Sequence, residues 1–323
     1  MTPPRNLAGL RTSPLSVRLP AILSLAALLS GAGAIGVPLP AAPPEGSPGG
    51  VETFELESRV FANRRTIRVL LPAGYGVAAN RNRRYPVQYL NDGFAVFKAG
   101  AWNAPQIVRR LESEGRIRPI LLVGIDNGAT AENGSVDQRT REYLPYADPK
   151  NEPSVPAPRG AEYPEFLIRE VIPAVVSRYR VLTGPQNTGI GGASLGGLAA
   201  LYSVMRNPRI AGRLLLESTP LFLGGYAALR DVRTTRAWPS RISIGIGTRE
   251  TEDEALAKEA APTMEALRDT IRAVSPGTAV ALVVEPGATH TSQAWQRRLP
   301  AALEFLWPSN LSAERSAGKG RIR

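Results

Sequence analysis

The sequence predicts an α/β fold, a three-layer sandwich with a mostly parallel central sheet between helices. Three observations lead there. From Val51 onward, strand-like runs alternate with stretches of helical spacing. One run, Ile120 to Ile125, is apolar throughout, as a strand covered on both faces requires. No internal repeat and no composition break divides residues 51–308, so the 323-residue chain supplies one large domain.

The elements follow in order. Glu52 to Ser58 and Arg65 to Leu71 predict two strands joined by a turn near Ala62-Asn63. Val87 to Leu90 predicts a short strand ending at Asn91-Asp92-Gly93, and Trp102 to Glu112 has helical spacing. Tyr146 to Gly160 is rich in proline and polar residues and reads as a loop. Pro164 to Tyr179 predicts a helix that Pro173 should kink. Thr188 to Gly192 predicts a strand and Leu195 to Met205 a helix. Leu214 to Glu217, Ile242 to Ile246 and Val280 to Val284 predict strands. Glu252 to Val274 and Ser292 to Leu306 predict the last two helices.

The ends of the chain read differently. Arg5, Arg11 and Arg18 precede an apolar run, Leu19 to Leu29, and the small residues Ala32-Gly33-Ala34. This is the pattern of a cleaved secretory signal over 1–34, and it predicts a secreted or periplasmic protein with no membrane anchor after cleavage. The run is short for a membrane span. Residues 35–50, rich in Pro, Ala and Gly, predict a flexible linker. Residues 309–323 form a basic tail.

Composition excludes several chemistries. There is no cysteine, so disulfides, thiolate metal sites and a cysteine nucleophile are ruled out. A single histidine rules out a metal site built on several histidines, and no cofactor is expected. The net charge of +11 is compatible with an anionic partner or substrate. The basic residues are scattered rather than interleaved with aromatics, so nucleic-acid binding is not expected. Nothing in the sequence sets an oligomeric state.

Gly192-Ala193-Ser194-Leu195-Gly196 matches G-x-S-x-G, with a predicted strand before it and an apolar helix after it. A sharp strand-to-helix turn lifts the serine hydroxyl clear of the sheet, and the glycines leave room for the neighbouring backbone. The helix N-terminus favours developing negative charge, and Leu195 offers a backbone N–H to an oxyanion. Ser194 is the candidate nucleophile. A serine needs a base, and His290, the only histidine, follows the last predicted strand in a loop ending at Thr289. An acid should orient the imidazole from the end of a strand lying between the two. Residues 247–254, Gly-Thr-Arg-Glu-Thr-Glu-Asp-Glu, follow Ile246. Glu250 stands closest to the strand end and is the first choice, with Asp253 the alternative. A carboxylate here can instead serve only to start a helix.

With these residues placed, the chain resembles the putative-esterase family of α/β-hydrolases. That family includes enterochelin esterases, feruloyl esterases, S-formylglutathione hydrolases and mycolyltransferases of the antigen 85 type. The resemblance is carried by residues 85–93 (YPVQYLNDG), 139–145 (RTREYLP), the serine elbow at 191–197, residues 247–250 (GTRE), and His290 with Trp295. It implies a second oxyanion donor, the Phe94 N–H. It also makes Asp92, Arg139, Glu142 and Trp295 candidates for the substrate pocket, with an Arg139–Glu142 structural ion pair as the competing reading. The activity it implies is carboxylic-ester hydrolysis through a Ser-His-acid triad. The alternatives are acyl transfer to a sugar or lipid, and a non-catalytic cell-surface binding protein on the same scaffold.

Overall fold

The computed structural model describes residues 50–130, 136–147 and 157–309. The expected signal over 1–34, nearly all of the linker and the basic tail lie outside the described residues.

Two strands open the sheet. β1 (Val51–Ser58) pairs antiparallel with β2 (Asn63–Leu70), with Ser58 opposite Asn63. Ala62, at φ 53°, closes the turn between them. β1 is an edge, and the outward Glu55 and Glu57 discourage further strand pairing there. β2 then lies antiparallel to β4 (Leu121–Ile125). From β4 the sheet runs parallel through β3 (Val87–Asn91), β5 (Thr188–Ala193), β6 (Arg213–Glu217), β7 (Arg241–Arg249) and β8 (Ala279–Thr289). The order is β1-β2-β4-β3-β5-β6-β7-β8. Every residue of β3 to β6 is buried, which explains their apolar and glycine-rich runs.

Helices cover both faces, and alternate side chains of one strand serve different cores. Leu214 and Leu216 of β6 pack with Leu198 and Leu201 of α6 (Leu195–Arg206) and with Met264 and Leu267 of α8 (Glu254–Val274). Leu215 between them faces the opposite layer. There it joins Val108 and Leu111 of a helix over Ala104–Ser113 and Leu299 and Leu303 of a helix over Ser292–Leu306. Each such leucine contributes roughly 1.5–3 kcal/mol by burial. In chain order the helices are α1 (Gly93–Phe97), α2 (Ala104–Ser113), α3 (Val136–Tyr143), α4 (Tyr163–Phe166), α5 (Ile172–Arg178), α6, α7 (Ala227–Thr234), α8 and α9 (Ser292–Leu306).

Three differences from the sequence expectation have physical reasons. The helix around Pro173 is not a single kinked rod: a π turn over Leu167–Val171 joins α4 to α5. Proline lacks an N–H and its ring crowds the carbonyl four residues back, and the wider turn absorbs that mismatch. β8 runs on through Pro286 and Gly287 to Thr289 rather than stopping at Val284. It is an edge strand, where a missing N–H is tolerated. The helices α1, α3 and α7 span at most eight residues, about two turns, too short a window for a period to repeat clearly.

Candidate active site

The centre of the site is the turn between β5 and α6. Ser194 has φ 54° and ψ −134°, a backbone state that costs on the order of 1–3 kcal/mol for a residue with a Cβ. Its surroundings hold it there. The Ser194 N–H donates to the Glu217 carbonyl at 2.9 Å. Asn91 at the end of β3 donates from Nδ2 to the Gly196 carbonyl at 2.7 Å, and its Oδ1 accepts from the Tyr163 hydroxyl at 2.6 Å. Gly192 is required because a Cβ there would stand 2.7 Å from the Gly196 carbonyl carbon. Leu195 is the first residue of α6, so the helix itself provides no acceptor for its N–H. That donor and the helix dipole sit beside the serine.

The ends of β6 and β7 supply the acidic side. The β7–β8 pair bulges between Gly247 and Arg249, and Glu250 follows directly. His290 Nδ1 donates to Glu250 Oε2 at 2.7 Å. Glu250 Oε1 accepts from the Ser218 hydroxyl at 2.7 Å and from the Gly247 N–H at 2.5 Å. Burial of Glu250 alone would raise its pKa. The hydrogen bonds from His290, Gly247 and Ser218 outweigh that and hold it below the usual carboxylate range. An ionised, oriented carboxylate on Nδ1 leaves Nε2 as the basic nitrogen of a neutral imidazole.

Ser218 ties this pair to the fold. It is buried, at φ 46°, just past the end of β6. Its hydroxyl donates to Glu250 and accepts from Trp295 Nε1 at 2.9 Å and Arg298 Nη2 at 3.3 Å. Trp295 and Arg298 lie three residues apart on α9, hence on one face. The Trp295 ring meets the His290 ring edge-on at 5.3 Å. Arg298 also donates to Glu217 Oε2 and to Glu285 Oε2, each at 2.8 Å. Burial pushes the Glu217 carboxyl up to about 7, against the pull of Arg298. Two neighbouring carboxylates are thus shifted in opposite directions.

A cavity of about 420 Å³ opens beside these groups. Ser194, Leu195, Glu250 and His290 border it, together with the β6–α7 loop and α8.

The remaining expected residues fall as follows. Asp253 is the N-cap of α8: its Oδ1 accepts from the N–H groups of Ala255 and Leu256 at 2.9 and 3.1 Å. Asp92, Arg139, Glu142 and Trp295 are not among the residues lining the cavity. Arg139 and Glu142 do not pair with each other either. Arg139 clasps Asp92 with two bonds, at 2.9 and 2.7 Å, while Glu142 pairs with buried Arg65 and accepts from the Gly128 N–H at 2.7 Å. A carboxylate and a guanidinium three residues apart on α3 therefore brace two different segments. Phe94, whose N–H is the second donor implied by the resemblance, lies in the first turn of α1, close enough to Asp126 to favour that carboxylate's charged form. Among the described residues, the cavity lining contains no lysine or arginine, so the anionic preference suggested by net charge finds neither there. Ser218, Glu217 and Arg298 escaped the sequence reading. The available signal was only that Ser218 directly follows a predicted strand.

Comparison with known proteins agrees with this architecture. Residues 58–306 match the family described as "Putative esterase". The chain belongs to that family. It is a carboxylic ester hydrolase with an α/β-hydrolase fold. Among curated proteins, the uncharacterized protein YbbA of Bacillus subtilis is 22% identical over 255 residues, which cover 78% of this chain and 96% of that protein. An endo-1,4-beta-xylanase/feruloyl esterase of Xylanibacter ruminicola is 25% identical over 267 residues, covering 80% of this chain but 31% of that longer protein. Among solved structures, an IroE-like serine hydrolase from Shewanella oneidensis superposes with a TM-score of 0.64 at 20% identity, covering 80% of each chain. The siderophore hydrolase EstB from Aspergillus nidulans gives a TM-score of 0.63 at 19% identity, covering 81% of this chain and 98% of that one.

Proposed function

We propose that this esterase is exported and cleaves carboxylic esters through an acyl-enzyme on Ser194, with His290 as base and Glu250 as the orienting acid. The observation that carries the reading is the 2.7 Å His290–Glu250 bond at the rim of the cavity that Ser194 also borders. In this reading His290 Nε2 takes the Ser194 proton as Oγ bonds to the ester carbonyl carbon. The resulting oxyanion is met by the Leu195 N–H and the α6 dipole. The imidazolium, stabilised by ionised Glu250, returns the proton to the departing alcohol. Water then repeats the sequence on the acyl-enzyme and releases the acid. His290 must be neutral to accept the serine proton. Export is supported by the charged start and apolar run before residue 34. A fluorophosphonate probe tests the nucleophile: labelling of the wild type and none of Ser194→Ala is expected, and equal labelling of both would refute the assignment.

A further inference from the structure

The cavity beside Ser194 specifies what kind of ester fits. Its exposed lining is mainly apolar, most of it aliphatic, with Phe222 and Tyr226 as the aromatic members. Leu195 comes from the start of α6, Ile246 from β7, Leu223 from the β6–α7 loop, and Leu256, Ala260 and Met264 from α8. Among the described residues, the lining holds two carboxylates and no lysine or arginine. Glu250 is committed to His290, Ser218 and Gly247. Glu259 accepts from the Tyr226 hydroxyl at 2.5 Å. That bond joins the β6–α7 loop to α8. The loop turns tightly to make it: Gly224, Gly225 and Tyr226 all have positive φ, at 65°, 62° and 61°. That bond ties the two walls together.

We infer, on the reading of Ser194 as nucleophile, that this cavity takes an uncharged aliphatic group of the ester and discriminates against anionic ones. An apolar group gains by leaving water for such a lining. A carboxylate would lose its hydration beside Glu250 and Glu259, with no Lys or Arg among the described residues of the lining to receive it. The same aliphatic chemistry can come from the acyl or from the alcohol part, so the test has two arms.

The first arm is a series of p-nitrophenyl alkanoates from acetate to octanoate; the second is a series of acetates of lengthening n-alkyl alcohols. The expected result is that kcat/KM rises about fourfold per added methylene in one arm, until the cavity is full. In that arm, a chain of equal length ending in a carboxylate should be at least about tenfold poorer. Ala260→Phe narrows the cavity from α8. It should lower the octanoate-to-acetate ratio, or its counterpart in the alcohol arm, by at least about tenfold, whatever its effect on stability. The inference is overturned if neither series shows a length dependence, or if the carboxylate-terminated chain is preferred, while acetate is still cleaved in a Ser194-dependent way. If no ester in either arm is cleaved, the catalytic reading falls and this inference falls with it.

Discussion

Replacing Ser218 by alanine removes one hydroxyl from the centre of the acid network. Alanine keeps the Cβ, so the backbone at φ 46° gains no new strain. The loss falls on three partners. Glu250 loses one of the three donors that hold its charge, and the Trp295 indole N–H and one Arg298 N–H lose their acceptor. A buried donor left without a partner costs about 1–3 kcal/mol, so a destabilisation of about 2–6 kcal/mol is expected from the pair. Catalysis feels a smaller, separate effect. If about 1.5 kcal/mol of the support for Glu250 disappears when His290 becomes charged, kcat falls roughly tenfold. Steady-state kinetics at saturating p-nitrophenyl acetate measure the catalytic part, and thermal melting the structural part. Trp295→Phe is the control: it removes one donor to Ser218 but leaves the Ser218–Glu250 bond, so it should lower stability more than kcat. The reasoning is refuted if Ser218→Ala keeps kcat within twofold of wild type across the pH range.

Three further outcomes are expected. Ser194→Ala should lose on the order of 10⁶ in kcat while melting near the wild-type temperature, checked by single-turnover assay and calorimetry. Glu250→Gln should lose most turnover, whereas Asp253→Ala should lose about 1 kcal/mol of stability through its cap and keep its turnover; the reverse pattern would move the acid to Asp253. Glu217 titrates near 7 in the folded protein against an ordinary value of 4.5, so its contribution to stability is fully present below about pH 4.5 and is lost as pH rises to about 7. That loss amounts to about 3 kcal/mol, and Glu217→Gln should flatten this part of the stability–pH curve measured by urea unfolding.

The legible parts of the sequence were those whose signal is local. The buried strands could be read because burial on both faces leaves only apolar residues and glycine, as in Leu121–Ile125 and Thr188–Ala193. The elbow could be read because its close backbone approaches admit only glycine at Gly192. What remained hidden depends on partners distant in sequence. Arg139 and Glu142 stand close together on α3, yet each reaches a segment that the chain alone does not pair with it, Asp92 at the β3 turn and Arg65 on β2. Ser218 carries no motif at all. It becomes informative only when α9 brings Trp295 and Arg298 over the end of β6, 77 and 80 residues further along the chain.

The two carboxylates at neighbouring strand ends show why such groups need the fold to sort them. Glu217 and Glu250 are the same residue type, and each raises the cost of ionising the other. Composition cannot say which one stays charged. Glu217 ends inside the core, where burial dominates even though Arg298 touches it. Glu250 is only partly desolvated and gathers three donors, from a bulge, a serine and the histidine. The bulge between Gly247 and Arg249 places the carboxylate there, so an irregularity in the β7–β8 pairing decides which acid faces His290. Arg298 bonds Glu217 and Ser218 at once, so the residue that tempers the buried charge also anchors the hydroxyl that holds the Glu250–His290 pair.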